Sequence, residues 1–363
     1  MKLQVTQENL SRALNNVARI ATTRNTLPIL ANVLIKTVDN RVCIAATDLN
    51  IAITNYIGSK VSESGSITVP ARLAQDFISS LPGGVIDIRL EDSKLHIKTD
   101  QHKSIINGMP AGDYPVMPKI KEGKSWKVPS KELKNALSQV VVAASNDDAR
   151  PVLTGVNFYT TDGSLYLVAT DSYRLAEKKL MPMKQEVNIL VPASAVQDLL
   201  RLLDDREEEV KVTSDEQQIL FQKGDVELVT RLIDGKFPDY RKLIPEKFNI
   251  SATVSKEELA NIVKVSSLFA RETAGSVKIN IDSKAKQIGI NSIASQLGEN
   301  SAGAAAKTSG DGEITLNSRY IMDAVNALAG DEVFIGFNEK LEPFIVKDNK
   351  DDGYKHVIMP LKS

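Results

Sequence analysis

The apolar positions near the start of the chain follow a helical period. Leu10, Ala13, Leu14 and Val17 are three and four residues apart, so they lie on one face of an amphipathic helix of about three turns. The chain then continues in short runs in which apolar and polar residues alternate, a pattern that indicates strands separated by polar turns. A second helix is predicted over VPARLAQDFISSL, which begins at Val69. The clearest strand-like runs are NVLIKTV, RVCIAATD, GSITVP, VIDIRLE, KLHIKTD and HKSIING.

Both helical patterns occur three times along the chain. The first returns at 133–140 and more loosely at 259–266, and the second returns in the segments that begin at Val191 and Leu316. Two independent elements that repeat with one period of about 120 to 125 residues predict homologous domains. Each domain then holds two helices and many strands, so the predicted fold class is α+β with antiparallel sheets. The predicted domains are 1–122, 123–246 and 247–363.

The composition adds little chemistry to this picture. With 42% hydrophobic and 25% charged residues the chain is typical of a globular protein, and no run approaches the roughly eighteen apolar residues of a membrane helix. The single cysteine, Cys43, has no disulfide partner, which favours a reducing compartment, and we expect a cytoplasmic protein. Three scattered histidines are too few for a metal cluster. No metal and no cofactor are expected.

The polar faces of the predicted helices carry basic or amide side chains, although the net charge of the whole chain is −1. For any one helix, an ordinary solvated face is the simplest interpretation. If the repeats place all six helices on one side, however, the faces form a positive surface suited to phosphate backbones without base reading. The basic residues of these faces are Arg12, Arg19, Arg72, Lys131, Lys134, Arg201, Lys264 and Arg319.

The segment ATDSYRLA, residues 169–176, brings together residue types that occur in catalytic sites. A near copy of its beginning, ATDLNIA, starts at Ala46 and lacks the serine, tyrosine and arginine. Asp48 and Asp171 are therefore equivalent positions of two repeats, and the simplest interpretation is that each Thr-Asp pair ends a strand and caps the following turn. The sequence also lacks the P-loop, dinucleotide-binding, zinc-protease and nucleophile-elbow motifs. We therefore expect a protein that is not an enzyme.

Several motifs carry a family resemblance over essentially the whole chain. They are TLPIL, VPAR, ATDSYRLA, LIDGKFPDYRKLIP and the C-terminal VIMPL, in this order. Together they resemble the bacterial DNA polymerase III β sliding clamps. The resemblance implies a head-to-tail homodimer whose six domains close into a ring, with helices lining a hole for double-stranded DNA of any sequence. It further implies that the ring tethers the DNA polymerase III catalytic subunit, the clamp loader and other proteins that carry a short clamp-binding peptide.

The resemblance also implies where these partners bind. In the family, the ATDSYRLA segment, the FPDYR loop and the C-terminal strand form a peptide-binding pocket, and the apolar residues here suit a leucine or phenylalanine of a partner. Thr170 and Arg174 would supply orienting polar contacts, and Leu175→Ala is expected to weaken peptide binding while leaving folding intact. The expected members of the pocket are Leu153, Thr170, Ser172, Tyr173, Arg174, Leu175, Pro238, Lys242, Leu243, Val357, Met359, Pro360 and Leu361.

Two further surfaces follow from the resemblance. Arg24 matches a loop arginine that approaches DNA in the family. At the subunit interface, exposed apolar residues on an edge strand and on a helix would meet the partner surface. Family members commonly carry an acidic stretch there, whereas LGENSAGAAAKTSGDG, residues 297–312, is poor in acidic residues, so the interface is expected to depend on apolar contact and strand pairing or to open more easily. The residues expected at the interface are Ile105, Ile106, Leu268 and Glu299.

Two alternatives to a clamp remain open on the sequence. A hydrolase that uses Asp48, Asp171 and Ser172 predicts turnover that depends on these residues, and the lack of a nearby histidine or lysine base counts against it. A repeat scaffold that binds proteins and never DNA predicts no loss of function when the basic residues on the helices of the first domain are reversed in charge.

Overall fold

The computed structural model describes residues 1–21, 27–120, 122–206, 208–294 and 298–362. Within these ranges, no helix is both long enough and apolar enough to cross a membrane. The chain divides into two compact units. Unit 1 contains Met1–Lys131 and Gln197–Leu232, and unit 2 contains Glu132–Val196 and Ile233–Ser363.

The elements are numbered in chain order. The α-helices are α1 (Gln7–Val17), α2 (Ala71–Ser80), α3 (Ser130–Val141), α4 (Ala193–Leu202), α5 (Lys256–Phe269) and α6 (Ser318–Ala327). The strands are β1 (Lys2–Thr6), β2 (Asn32–Val38), β3 (Arg41–Thr47), β4 (Ile51–Gly58), β5 (Lys60–Glu63), β6 (Ser66–Pro70), β7 (Val85–Glu91), β8 (Lys94–Lys98), β9 (Lys103–Asn107), β10 (Lys124–Pro129), β11 (Gly155–Thr161), β12 (Ser164–Thr170), β13 (Arg174–Pro182), β14 (Asn188–Pro192), β15 (Glu209–Ser214), β16 (Gln218–Lys223), β17 (Val226–Arg231), β18 (Ile250–Ser255), β19 (Ser276–Asp282), β20 (Gln287–Ala294), β21 (Gly298–Ser309), β22 (Gly312–Asn317), β23 (Glu332–Phe337), β24 (Phe344–Asp348) and β25 (Tyr354–Ile358).

The predicted helices form and bury their apolar stripes. The four stripe residues of α1 are buried, and so are the equivalent residues of α3 and α5. Local capping supports the starts of two of them: the hydroxyl of Thr6 accepts a hydrogen bond from Asn9 N at 3.4 Å, and the hydroxyl of Ser255 accepts one from Glu258 N at 3.5 Å. The prediction of repeated amphipathic helices is therefore confirmed.

Unit 1 contains two antiparallel sheets and the helices that cover them. The five-stranded sheet has the order β5-β1-β7-β8-β9, and the eight-stranded sheet has the order β10-β15-β16-β17-β4-β3-β2-β6. Helix α1 packs on β3, β4 and α2, and Ser11 Oγ lies 3.0 Å from Ser79 Oγ where the two helices meet. The strand β9 forms one outer edge of the five-stranded sheet.

Unit 2 is built on one continuous sheet of twelve strands. Its order is β14-β11-β12-β13-β25-β24-β23-β18-β21-β20-β19-β22, and all its paired neighbours are antiparallel. Helices α5 and α6 pack against each other, and α5 lies on β18, β20 and β21. Two helices on antiparallel sheets agree with the predicted α+β class.

Strands of neighbouring repeats pair with each other inside each unit. In unit 1, β17 of the second repeat pairs with β4 of the first, with Thr230 opposite Ile51. In unit 2, β25 of the third repeat pairs with β13 of the second, with Ile358 opposite Arg174. Because the sheets continue across these junctions, the compact units do not coincide with the sequence repeats. The exact boundaries 1–122, 123–246 and 247–363 stay predictions.

Candidate functional site

The turn between β12 and β13 is held by the side chains of a Thr-Asp pair. Thr170 Oγ1 donates a hydrogen bond to Arg174 O at 2.6 Å and accepts one from Ser172 N at 3.1 Å. Asp171 Oδ1 accepts hydrogen bonds from Tyr173 N and Arg174 N, both at 2.9 Å. Both side chains therefore form hydrogen bonds with backbone groups of the turn.

The turn between β3 and β4 repeats this arrangement in the first repeat. Thr47 Oγ1 donates to Ile51 O at 2.8 Å and accepts from Leu49 N at 3.0 Å. Asp48 Oδ1 accepts from Asn50 N at 2.9 Å and from Ile51 N at 2.8 Å. The prediction that each Thr-Asp pair ends a strand and caps a turn is confirmed.

The third residue of each turn has a left-handed backbone. Leu49 has φ 79° and Ser172 has φ 78°, a region that residues other than glycine rarely adopt. The Ser172 hydroxyl accepts a hydrogen bond from Arg150 Nη1 at 3.2 Å. A guanidinium has no lone pair with which to accept a proton, so Arg150 is not a general base for Ser172. This geometry does not favour the hydrolase alternative.

A cavity of about 220 Å³ opens beside the turn at Asp171. We call it the 170–175 pocket. Leu175 on β13 lies opposite Val357 on β25, so strand pairing between two repeats determines the position of one wall. The loop before β18, with Pro238 and the partly exposed Leu243, provides another wall. The lining residues are Thr170, Ser172, Arg174, Leu175, Pro238, Asp239, Tyr240, Leu243, Ile244, Val357 and Met359.

Most residues predicted for the pocket line it, and five do not. Leu153, Tyr173, Lys242, Pro360 and Leu361 are outside the lining. Leu153 is buried, and Tyr173 projects outward with 63% of its surface exposed while its carbonyl accepts a hydrogen bond from Met359 N at 2.8 Å. Leu361 N donates to a backbone carbonyl of β22. The family motifs therefore indicated the segments that form the cavity but not every side chain that lines it.

Three lining residues were not predicted: Asp239, Tyr240 and Ile244. All three belong to the LIDGKFPDYRKLIP segment, which had been recognised from the sequence. The signal that could have found Tyr240 is its place two residues after Pro238, because a loop that forms a wall presents several consecutive residues to the cavity.

The position of Tyr240 is fixed by a hydrogen bond to the buried carboxylate of Glu177. Its hydroxyl donates a hydrogen bond to Glu177, and Tyr159 donates to the same carboxylate at 2.9 Å. The guanidinium of Arg241 lies 5.4 Å from the centre of the Tyr159 ring. Burial raises the pKa of Tyr159 to about 12, and burial together with the Glu177 carboxylate raises the pKa of Tyr240. Both tyrosines therefore stay protonated at neutral pH, so each can donate to Glu177.

Arg174 is largely buried, and its donors face carboxylates of the same unit. Its Nε donates to Asp171 Oδ2 at 3.0 Å, and its Nη1 donates to Asp323 on α6. Its guanidinium also lies 4.5 Å from the centre of the Tyr320 ring. With these partners Arg174 holds the turn in place. Because it also lines the pocket, its orienting contact to a partner peptide stays a prediction.

The basic residues of the helices are at the surface. Most of the predicted set are exposed and Lys134 is half-buried. Arg12 forms an ion pair with Glu8 at 2.8 Å, and Arg201 pairs with Asp198 at 2.5 Å, each within its own helix.

Two residues of the predicted DNA-facing set are not on a described helix. The helix α1 ends at Val17, so the prediction that Arg19 belongs to a helical stripe is wrong; Arg19 lies in the turn that follows. Arg24 lies outside the described residues.

The residues predicted for a subunit interface divide into two groups. Ile105 is 53% exposed, Leu268 is 50% exposed, and Glu299 is exposed on β21. Ile106 is only 3% exposed, so the prediction that both isoleucines are exposed is wrong. Successive side chains of a strand point to opposite faces, and Ile106 faces the core while Ile105 faces outward.

Three domain models of one protein family match consecutive parts of the chain. The DNA polymerase III beta subunit N-terminal domain matches residues 1–118, the central domain matches 127–239 and the C-terminal domain matches 241–362. Among relatives, the beta sliding clamp of Staphylococcus aureus strain Mu50 is 30% identical over 375 residues, with 100% of both chains covered.

Solved structures agree with the family comparison. A DNA polymerase sliding clamp from Bacillus subtilis has a TM-score of 0.94 and 28% identity, and the match covers 100% of this chain and 99% of that one. A sliding clamp from Pseudomonas aeruginosa, solved bound to griselimycin, has a TM-score of 0.94 and 25% identity, with 100% of both chains covered.

Proposed function

This chain belongs to the family of DNA polymerase III beta subunits, the DNA sliding clamps, and from that premise we propose which of its surfaces close the ring, face DNA and bind partners. A sliding clamp keeps a polymerase on its template by encircling the duplex. Tethering raises the effective concentration of the polymerase at its template, because a tethered enzyme rebinds the same template. DNA and a polymerase are therefore partners of this chain.

The main observation in support of a closed ring is the strand pairing between repeats. Strand β4 of the first repeat pairs with β17 of the second repeat, and β13 of the second repeat pairs with β25 of the third. The corresponding strand of the third repeat is β21, whose Gly298–Ala305 segment pairs with β20 on one side, and only its last four residues pair with β18. The corresponding last strand of the first repeat is β9, at the edge of its sheet.

A second copy of the chain satisfies both open edges. If β9 of one subunit pairs with β21 of the other, two identical junctions form and the assembly closes head to tail. Ile105 on β9 and Glu299 on β21 lie on these edges, and Leu268 lies near the end of α5, which packs on β21. Pairing would also protect two edges that otherwise invite aggregation.

The exposed basic residues on the helices supply the proposed contact with DNA. Arg72, Lys131, Lys264 and Arg319 are exposed on four different helices. Arg12 and Arg201 already have carboxylate partners, so phosphate must compete for them. Because such contacts reach only the backbone, the duplex can be of any sequence.

The 170–175 pocket is the proposed site for partner peptides. Leu175, Val357, Met359 and Leu243 give it an apolar lining, which suits a leucine or phenylalanine of a short peptide. Proteins that carry such a peptide would include the DNA polymerase III catalytic subunit and the clamp loader. The tyrosine pair held by Glu177 gives the pocket a rigid wall, and a preformed wall reduces the entropy lost on binding.

The same observations support a role without catalysis. Asp48 and Asp171 hold backbone groups of their turns, and Ser172 faces a guanidinium. A protein that acts on replicating DNA works where the chromosome lies, which agrees with the cytoplasmic location expected from the sequence.

The decisive experiment is retention of labelled protein on nicked circular DNA after loading by a matching clamp loader with ATP. A closed ring is expected to stay on the circle through a high-salt wash and to leave when the circle is linearised, because phosphate contacts alone fail in salt. Loss during the salt wash would contradict topological linkage.

A second arm tests the DNA-facing residues against the protein-binding scaffold. Arg72→Ala together with Lys131→Ala is expected to slow loading and to reduce low-salt DNA binding, and Lys211→Ala, an exposed lysine on β15, serves as the control. Unchanged DNA binding in the double variant would favour the scaffold.

A further inference from the structure

A second cavity lies beside the equivalent turn of the first repeat, entirely within unit 1. It encloses about 480 Å³, a size within the usual range of ligand sites. One wall is the segment from Thr47 to Ile51, and we call the cavity the 47–51 pocket. Strands β17 and β4 meet there, with Thr230 opposite Ile51.

The two pockets have the same construction. Thr47 and Thr170 cap their turns in the same way, and Leu49 and Ser172 both take a left-handed backbone at the rim. The strand pairing also corresponds, because Thr230 lies opposite Ile51 as Ile358 lies opposite the equivalent residue of β13.

The remaining walls correspond as well. From that register, Val229 takes the place of Val357, and Arg231 takes the place of Met359. The segment GDYPVMP supplies Pro115 where GKFPDYR supplies Pro238. The 47–51 pocket therefore occupies the equivalent place in the first repeat and has different side chains.

The 47–51 pocket differs from the 170–175 pocket in two chemical features, its rim and its charge. Its rim is apolar and exposed, since Leu49 is 48% exposed and Val116 is 93% exposed. A leucine with φ 79° is strained, and strain of this kind accumulates at functional sites. The other difference is charge, because Arg231 lines the cavity where the 170–175 pocket has a methionine.

Arg231 is exposed at the 47–51 pocket. In the part of the chain that the structure describes, its guanidinium takes part in no ion pair. Asp48 also lines the pocket, and its Oδ1 accepts hydrogen bonds from two backbone N–H groups of its own turn. An arginine at the edge of an apolar rim suits a ligand that joins an apolar side chain to a carboxylate.

We propose that the 47–51 pocket binds a short extended peptide, with an apolar side chain against Leu49 and Val116 and an acidic side chain on Arg231. The proposal rests on the proposed function in one respect, since the peptide role of the 170–175 pocket indicates the class of ligand. It gives the chain a second peptide site that selects by charge, whereas the first selects by apolar fit.

The test uses methyl-labelled full-length protein and two synthetic peptides, acetyl-ELLE-amide and acetyl-QLLQ-amide. The acids stand at both ends, so the result does not depend on the direction of binding. Methyl signals of Ile51 and Val229 report on the 47–51 pocket, and those of Leu175 and Val357 report on the 170–175 pocket.

The acidic peptide is expected to shift the Ile51 and Val229 signals in a saturable way, and the neutral peptide to bind about tenfold more weakly, as loss of a charge-assisted hydrogen bond implies. Arg231→Gln is expected to remove this difference, while Arg89→Gln, an exposed arginine on β7, leaves it unchanged. Should Arg231→Gln fold poorly, Val116→Ser at the exposed rim is expected to weaken both peptides.

Three results would overturn the proposal: no saturable shift at Ile51 and Val229, equal affinity for the acidic and neutral peptides, or a difference that survives Arg231→Gln. Failure of the proposed function would look different. It would leave the Leu175 and Val357 signals unmoved when the clamp-binding peptide of a polymerase is added, whatever happens at Ile51.

Discussion

The guanidinium of Arg174 forms an ion pair with the carboxylate of Asp323, 149 residues further along the chain. Arg174 follows the turn beside the 170–175 pocket, and Asp323 lies on α6 of the third repeat, the helix that also carries the exposed Arg319. A contact of this kind ties the position of the pocket turn to a helix that we propose faces DNA.

Removing Asp323 should therefore loosen the turn. Asp323→Ala leaves the buried Arg174 with Asp171 as its remaining carboxylate partner, and we expect the free energy of unfolding to fall by about 2 kcal/mol, the usual worth of a hydrogen bond to a charged group. Urea denaturation followed by circular dichroism measures this. Asp76→Ala changes the equivalent, exposed residue of α2 and should have little effect. An equal loss in both variants would show that the Arg174 contact contributes nothing.

The 170–175 pocket offers a better test residue than Leu175. Leu175 belongs to a buried cluster with Val168 and Tyr240, so the expectation that Leu175→Ala leaves folding intact is not supported. Large-to-small changes in a core typically cost about 2 to 5 kcal/mol of stability. The variant would mix loss of binding with loss of folding.

Leu243→Ala separates binding from folding. Leu243 lines the pocket and is 52% exposed, so its truncation should weaken a clamp-binding peptide about tenfold or more and leave the unfolding transition in place. Fluorescence anisotropy with a labelled peptide measures the affinity. Leu341→Ala, at another exposed leucine of unit 2, is the matched control. Wild-type affinity in Leu243→Ala would remove this wall from the site.

Sequence reasoning succeeded where a pattern is local. The runs NVLIKTV and VIDIRLE coincide with β2 and β7, because alternation along a strand is a property of neighbouring residues. It failed at Arg19 because the end of a helix depends on capping and packing, and the chain leaves the helix at Ala18. It failed at Ile106 because two apolar residues side by side cannot both face outward from one strand.

Long-range contacts were beyond what the pattern could show. Nothing in ATDSYRLA indicates that its arginine pairs with Asp323, since the two residues meet only after three repeats have folded. The ATDLNIA copy predicts a structural turn, which is correct for its Thr-Asp pair. Its leucine, however, also lines a cavity, and only the pairing of β17 with β4 reveals that cavity.

A buried histidine on the pocket strand β25 is expected to make stability depend on pH. His356 on β25 is completely buried, and its Nδ1 lies 2.9 Å from the Tyr354 hydroxyl, which donates to Gln139 O at 3.3 Å. Neutral His356 can therefore donate from Nδ1. Burial lowers the pKa of His356 to about 3.

The direction of the pH effect follows from the difference in the histidine pKa between the folded and unfolded chains. The unfolded chain takes up the histidine proton near its ordinary pKa of about 6.5, whereas the folded chain resists it, so the free energy of unfolding should fall as pH drops from about 6.5 toward 3. Comparing urea denaturation at neutral and mildly acidic pH, we expect His356→Gln to lose part of this dependence and His102→Gln, an exposed histidine, to keep it. An unchanged pH dependence in His356→Gln would contradict this assignment.

The last prediction concerns ring closure. Ile105 is exposed on the edge strand β9, and Val85 is similarly exposed on β7 of the same sheet, with 53% and 57% of their surfaces accessible. If β9 pairs with β21 of a second copy, a charge at Ile105 must be desolvated on assembly, whereas one at Val85 lies on an inner strand. Ile105→Asp should therefore shift the protein toward monomer in sedimentation velocity, and Val85→Asp should not. The monomer should also fail to remain on nicked circular DNA in salt, because a single chain cannot enclose the duplex. A stable dimer in Ile105→Asp would place the subunit contact elsewhere and leave the two open strand edges without a partner.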